Sequence, residues 1–404
     1  MNKRAMILLL AGVLLITVGG VLLPRSNSEA KEDVNTEPQT EQKEPKKSDD
    51  TNISLVFTGD FLWEQGLYDS MDNYQFGDYF DDVKPLLDSD LTICNQEVPI
   101  GGEELGISGV AYTFNAPYEI ANQYPSIGVD YMTFATNHTV DMGQAGVDNT
   151  LSILDQNGIG HTGAYSNEEE ANNISIVEID GIKIAILAYT YGTNQYAEFP
   201  YSVNYFLNGY GEFDEDYQNK LASDVARARE NADVVIAAMH WGTEFTYDIN
   251  PVQAEVAAFL NEQGVDIIVG NHPHCIQPAE TLVNSQGKET IVFYSLGNFV
   301  SSAAQVDRAD EQFQNMYEIG AVAGVNVVKD KEGIHFENVH ITPVVNHFKY
   351  GYTNFKLIPF SKYTEELASQ HYQRYYSELF TIDYLKEQIH SVFDSSGFVN
   401  ADLS

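Results

Sequence analysis

The run Val265-Asp266-Ile267-Ile268-Val269-Gly270-Asn271-His272-Pro273-His274 decides how the rest of the chain is read. Residues 265–269 are mostly apolar and form a short strand of the buried type. Gly270-Asn271 ends it, and two histidines follow, one residue apart. Imidazole is the commonest protein ligand of catalytic first-row metals, so two rings this close can face one ion or two adjacent ions. A turn that merely holds two solvated histidines fits the same ten residues. The other strand ends decide between these readings.

Outward from that run the same pattern recurs. Residues 53–57 read as a strand that ends in Thr58-Gly59-Asp60. A helical stretch is expected around residues 79–87. Residues 91–94 form a strand ending in Asn95-Gln96-Glu97, and residues 131–135 another, ending in Thr136-Asn137-His138. Ala145, Val147, Leu151 and Leu154 carry a helical spacing over 143–157. Asp180-Gly181 between two β-rich runs, 174–179 and 182–188, is a hairpin signal. Helices are expected over 214–230 and 251–263, with Pro251 in the first turn of the second. Between them, residues 233–239 form a strand ending in His240-Trp241-Gly242. A strand over 290–294 leads into Ser295-Leu296-Gly297-Asn298-Phe299, and hairpins fill 317–345. The tail from residue 364 is expected to be helical. Strands alternate with helices early and with hairpins later, which predicts a layered α/β architecture with a mixed sheet or two packed sheets.

Five strands therefore end in groups able to bind metal: Asp60, Glu97, Asn137 with His138, His240, and His272 with His274. In open α/β sheets, sites form in the crevice beyond the carboxyl ends of the strands. Each residue alone fits a turn, a loop acid or a satisfied core histidine. Their joint placement at successive strand ends points to one metal centre. Tyr191, Trp241 and Tyr247 are candidates to line a substrate groove, with core packing as the alternative. Ser295 and Asn298 are substrate-binding candidates, with a structural turn as the equal alternative.

The chain has 404 residues, 43% of them hydrophobic, and a formal net charge of −38. That charge argues against nucleic acid as a partner, because phosphate binding needs clustered Lys and Arg. Two cysteines, Cys94 and Cys275, are too few for a disulfide framework. Lys3 and Arg4 precede an uncharged, mostly apolar run over 5–23, about long enough to span a bilayer. Residues 1–25 are thus expected to be a membrane anchor or a cleaved signal segment, the anchor being favoured. Residues 26–52 are polar and aperiodic and read as a disordered spacer. The expected location is the cell membrane, single-pass, with the C-terminal domain outside the cytoplasm.

The motifs sharpen this. Asn137-His138-Thr139-Val140-Asp141-Met142-Gly143, Ala188-Tyr189-Thr190-Tyr191-Gly192-Thr193-Asn194, His240-Trp241-Gly242-Thr243-Glu244-Phe245 and Tyr294-Ser295-Leu296-Gly297-Asn298-Phe299 resemble signatures of the CapA family of bacterial capsule-synthesis proteins. With Gly59-Asp60, Asn95-Gln96-Glu97 and His272-Pro273-His274 in order, the chain resembles calcineurin-type metallophosphoesterases more broadly. The resemblance implies a four-layer metallophosphatase sandwich, two packed mixed β-sheets flanked by helices, over 53–346. Residues 347–404 would be a helical extension packed on it.

The resemblance also implies a divalent metal, Mn, Fe or Zn, as one ion or two. Glu97 would bridge, with Asn137, His240 and His272 on one side and Asp60 and His274 on the other. His138 would be the catalytic acid and Asp141 its orienting partner. Leu62 stands where the wider superfamily carries a histidine, so the Asp60 side should bind more weakly. Thr139 stands where an acid is usual. The implied role is synthesis or export of a poly-γ-glutamate capsule, with the cytoplasmic membrane and synthase or exporter subunits as partners. The alternatives are a stand-alone phosphoesterase and a hydrolase or transferase of γ-glutamyl bonds. The substrate would be an anionic polymer or a phosphoester. Residues 1–52 hold seven of the 21 basic and eight of the 59 acidic residues, so the remainder carries −37. Such a domain repels a polyanion within a Debye length unless cations or a local basic spot intervene.

Overall fold

The computed structural model describes residues 50–303, 310–393 and 396–398. The expected anchor and nearly all of the expected spacer lie outside these residues. No helix among the described residues is long and apolar enough to cross a membrane.

Among the described residues, fourteen strands build two sheets. They are β1 (Thr51–Phe61), β2 (Leu91–Gln96), β3 (Tyr131–Thr133), β4 (Gly160–Thr162), β5 (Ser175–Ile179), β6 (Ile182–Thr190) and β7 (Val234–His240). Then come β8 (Ile267–Asn271), β9 (Ile276–Val283), β10 (Glu289–Leu296), β11 (Asn298–Val300), β12 (Ile319–Asp330), β13 (Gly333–Lys349) and β14 (Thr353–Pro359). One sheet has the order β14-β13-β12-β1-β2-β3-β4, with β11 paired to β1; the other has the order β5-β6-β7-β8-β10-β9. Both are mixed. β1 through β4 are parallel, as are β6, β7, β8 and β10, while β12, β13, β14, β5 and β9 pair antiparallel.

Strand alternation explains the layering, because successive side chains point to opposite faces. Ile53, Leu55 and Phe57 of β1 join Ile267 and Val269 of β8 in a core shared by the two sheets. Val56 faces the other way and so, past a register shift between Phe57 and Asp60, does Phe61, into an aromatic layer with Trp63, Phe76 and Tyr124. Ile268 of β8 faces outward beneath the helices Glu215–Asn231 and Pro251–Gln263, packing with Val225, Val256 and Leu260. The expected two-sheet α/β sandwich with flanking helices is what the chain forms. Asp266, the polar residue of the opening run, sits at the amino end of β8. It accepts from Val235 N–H at 2.7 Å and pairs with Arg229 and Lys288.

Three expectations need correction. The helix around 79–87 is a series of turns with one short 3-10 segment, Lys84–Leu86. Its apolar spacing is helical, but Pro85 removes a backbone donor and disfavours a continued helix. β1 starts at Thr51, inside the stretch read as spacer. The boundary at 346/347 falls within β13, and β14 adds an edge strand to the same sheet before the short helices and the helix Ile382–Phe393. β9 contains Pro278, which is tolerated because β9 is an edge strand.

Candidate metal centre

The parallel strands of both sheets deliver their carboxyl ends to one place. Asp60 is the penultimate residue of β1 and Glu97 follows β2. Asn137 and His138 lie in the turn beyond β3, His240 ends β7, and His272 and His274 follow β8. Close backbone approaches fix two of these ends. A Cβ on Gly59 would lie 2.0 Å from Gly297 O, and the Asp60 N–H donates to that carbonyl at 2.8 Å. A Cβ on Gly270 would lie 2.0 Å from Tyr294 O. Only glycine fits at either position. His272 (φ 100°) and His274 (φ 57°) both have left-handed backbones. A non-glycine residue is strained there, and such strain concentrates at functional sites.

The side chains converge. Single ligand atoms of Asp60, Glu97 and His274 all lie within 4.8 Å of one another, as do those of Glu244, His272 and His274. His274 Nε2 is 3.5 Å from Glu97 Oε1, and its Nδ1 is 3.6 Å from Asp60 Oδ2. His274 Nδ1–H donates to Asn298 Oδ1 at 3.0 Å, which leaves the Nε2 lone pair turned to Glu97. His240 Nε2–H donates to Asn137 Oδ1 at 2.8 Å, which leaves the Nδ1 lone pair 4.0 Å from Asp60 Oδ1. The His240 and His272 rings are 4.8 Å apart. Asp60 is held in turn: Oδ1 accepts from Asn95 Nδ2 at 2.7 Å and Oδ2 from His272 N–H at 3.2 Å.

Burial is nearly complete. Asp60 and Glu97 are 0% exposed, His240 2%, His272 3% and His274 5%. Burial raises both carboxyls above their ordinary range, strongly for Glu97, whose charge is also opposed by Asp60. Burial and neighbouring histidines hold His240 and His272 well below the usual imidazole value. Neutral imidazoles are the metal-binding form. Among the described residues, both Glu97 oxygens, His240 Nδ1 and His272 Nδ1 have no hydrogen-bond partner. A buried carboxylate and lone pairs aimed at one another are costly unless a cation lies between them. The donor set therefore fits a divalent ion, held by Asp60, Glu97 and His274 with Glu244 and His272 beside them.

His138 stands beside this cluster. Its Nδ1 lies 2.8 Å from Asp141 Oδ2, which also accepts from Phe114 N–H at 3.1 Å. The Asn194 side chain is 3.4 Å from His138 Nε2, and Asn194 N–H donates to Asn137 O. The Tyr191 ring lies 4.7 Å from that of His272, at the mouth of the cluster and half-buried.

The remaining candidates take other places. Asn298 binds His274 and donates to Tyr317 O at 3.1 Å. Ser295 Oγ donates to Cys275 O and accepts from Gly297 N–H, which makes it part of the turn. Trp241 is fully buried; it stacks on Tyr294 and donates its indole N–H to Tyr294 O at 2.9 Å. It follows His240 directly, so strand alternation turns it into the core. Tyr247 is half-buried at the margin of the aromatic and shared cores. Leu62 is buried in the aromatic layer. Cys94 and Cys275 are buried free thiols, both pushed up by burial, Cys94 to about 12. Glu244 is the group that sequence reasoning missed. Its signal was its place four residues after His240, in a loop that returns to the site through Phe245 N–H to Pro273 O at 3.0 Å.

Fold and donor set together define an α/β sandwich protein with a strand-end cluster suited to a divalent metal. The chain belongs to the family described as bacterial capsule synthesis protein PGA_cap, whose model matches residues 54–303. The capsule biosynthesis protein CapA of Bacillus anthracis is 27% identical over 267 residues, covering 63% of this chain and 61% of that protein. The PGA biosynthesis protein CapA of Bacillus subtilis is 32% identical over 167 residues, 41% of each chain. The chain thus spans about three-fifths and two-fifths of the lengths of these two relatives. Among solved structures, a phosphatase from Mycoplasma pneumoniae is similar, with 15% identity, a TM-score of 0.44, and coverage of 73% of this chain and 94% of that one.

Proposed function

We propose that this chain takes part in synthesis or export of a poly-γ-glutamate-type capsule polymer and carries a divalent-metal site of phosphoesterase type. The observation that carries the second half is the buried Asp60–Glu97–His274 group with its unpartnered Glu97 oxygens, inside the matched family segment. The first half is supported by the names of the two CapA relatives. The apolar run over 5–23 supports membrane attachment with the folded domain outside the cytoplasm, in reach of synthase or exporter subunits.

When bound, a divalent ion at this site supplies Lewis acidity and a water of lowered pKa. The residues of the chain divide the remaining work. Asp141 holds the proton at His138 Nδ1, which leaves Nε2 as the atom that exchanges a proton with a leaving oxygen. Asn194 steadies the ring edge at Nε2. Tyr191, beside His272, closes one wall against water. Because the folded domain is acidic, an anionic substrate needs a bound cation or a local basic spot to draw it in.

A stand-alone extracytoplasmic phosphoesterase is the second reading, favoured by the His138–Asp141 pair. Capsule rescue of a deletion strain separates the two. The polymer role predicts that wild-type protein restores capsule. Purified, manganese-loaded protein that releases an aryl phosphate, but whose deletion leaves capsule intact, would establish the second reading instead. No release of aryl phosphate, together with rescue by His138→Ala and His272→Ala variants, would remove the catalytic part of the proposal.

A further inference from the structure

A second concentration of buried polar atoms lies beyond the metal centre, between β11, β12 and β13. Glu318 precedes β12 and is 0% exposed, yet neither of its carboxyl oxygens has a partner among the described residues. The Ile319↔Val345 register places it opposite Asn346, whose N–H donates to Glu318 O at 2.8 Å. Opposed residues of an antiparallel pair share a face. On that face Asn346 Oδ1 accepts from Tyr79 Oη at 2.7 Å and from Ser301 N–H at 3.3 Å. Ser301 and Ser302 are buried, and both hydroxyls are also without partners among the described residues. Glu64 closes the group: Oε2 accepts from Ser302 N–H at 2.5 Å and Oε1 from Tyr317 Oη at 3.4 Å.

We propose that this nest is a second cation site, lined by oxygen alone, in which Glu318 and Glu64 supply the charge and Ser301 and Ser302 the neutral ligands. Two carboxylates balance a divalent ion. An oxygen-only donor set selects hard cations of calcium or magnesium type over zinc or copper. His347, next to Asn346 on β13, belongs to the opposite face, where its Nδ1 pairs with Tyr363 Oη. His371 lies beside Asn346, but its Nε2 donates to Asn346 O at 2.8 Å and its Nδ1 accepts from Gln373 N–H at 2.9 Å, so neither imidazole joins the set. Without an ion, burial raises both carboxyls, Glu64 to about 7 against its hydrogen bonds from Ser302 and Tyr317, and the charge of Glu64 adds to the rise at Glu318.

The nest is tied to the first centre through Tyr317 and through Asn346, whose Nδ2 donates to Asn298 O at 3.1 Å. Tyr317 Oη reaches Glu64, while Tyr317 O holds Asn298, which orients His274. An ion at Glu318 therefore fixes the wall on which His274 rests. It is a structural site, separate from the reacting one.

The test uses the full-length protein, stripped with chelator and reloaded with manganese to fill the histidine centre. It is then titrated with calcium chloride or magnesium chloride, and bound cation is measured by elemental analysis and calorimetry. The wild type should bind one further equivalent. Glu318→Gln should lose it, at least about tenfold in affinity, while keeping its manganese. Glu97→Gln should show the reverse. Equal calcium and magnesium uptake by wild type and Glu318→Gln, or none by the wild type, overturns the proposal. If Glu318→Gln does not fold, Ser301→Ala decides: calcium or magnesium binding weakened about fivefold or more supports the site, and unchanged binding removes it.

Discussion

The two halves of the metal centre are built from different chemistry. Around His274 there are two fully buried carboxyls, Asp60 and Glu97, and an outer support made of Asn298 and Tyr317. Around His240 there are two neutral imidazoles and an amide, with the Asn137 oxygen already engaged by His240 Nε2. The first half has the negative charge that a divalent ion needs; the second has lone pairs but little charge. From the sequence, Leu62 made the Asp60 side look the weaker one. The geometry adds Glu244 near His272 and His274, which gives His274 a place in both ligand groups. The lesson is that a missing ligand on one strand can be compensated by a loop acid from another.

The comparison breaks first at Glu97 and His274. Glu97→Gln and His274→Ala should each weaken manganese binding by more than about 100-fold, beyond the range of outer-shell changes. His240→Ala should cost less, on the order of tenfold. Calorimetric titration of chelator-stripped protein measures this order, and an equal loss in all three would erase the distinction between the halves. Asn298→Ala comes next. It leaves every ligand in place but frees the His274 ring, so manganese affinity should fall by about 10- to 100-fold. Ser295→Ala, in the same turn but off the ring, should leave it unchanged.

A smaller effect tests where the boundary of the site runs. Trp241→Phe removes the indole donor to Tyr294 O while keeping an aromatic ring in the core. Stability should fall by about 1–2 kcal/mol in chemical denaturation, the scale of one buried hydrogen bond and a small packing defect. Manganese affinity should not move. A loss of affinity would place Trp241 back in the site.

Most of the centre was legible because parallel strands deliver their carboxyl ends together. Asp60, Glu97, His240, His272 and His274 each follow an apolar run, and the fold brings each within a few ångströms of another of the set. Trp241, a groove candidate with core packing as its alternative, lies in the core because one step along an extended chain reverses a side chain's face. Glu244 was missed because its approach depends on a loop closing against Pro273, a contact that no local pattern encodes. β9 and β14 stayed hidden for a related reason: both are edge strands, where Pro278 or an exposed polar face blurs the alternation. The Glu318 nest was invisible, since it depends on the cross-strand partner that β13 supplies to residue 318.

The smallest effect separates the charge of the second nest from that of the centre. Glu64 is raised from 4.5 to about 7 by burial, in competition with its hydrogen bonds to Ser302 and Tyr317. In metal-free protein the unfolded chain releases this proton near pH 4.5, while the folded chain keeps it to about pH 7. Between those values the folded state binds more protons, so stability falls as pH rises through the window. Asp60, Glu97 and Glu318, also raised, act in the same direction. His240, His272, His347 and His371, all lowered by burial, His347 to about 4 and His371 to about 3, act oppositely: their contribution is lost as pH falls below the ordinary value near 6.5. Glu64→Gln should therefore make the melting temperature in chelator less dependent on pH between 4.5 and 7. The remaining acids still act downward in this window, against the histidines. Calcium added to the wild type should relieve that decline, because an ion favours the ionised carboxylates in the folded state only. A Glu64→Gln profile that parallels the wild type would show that Glu64 is ionised throughout, and that the two nests differ less than their burial implies.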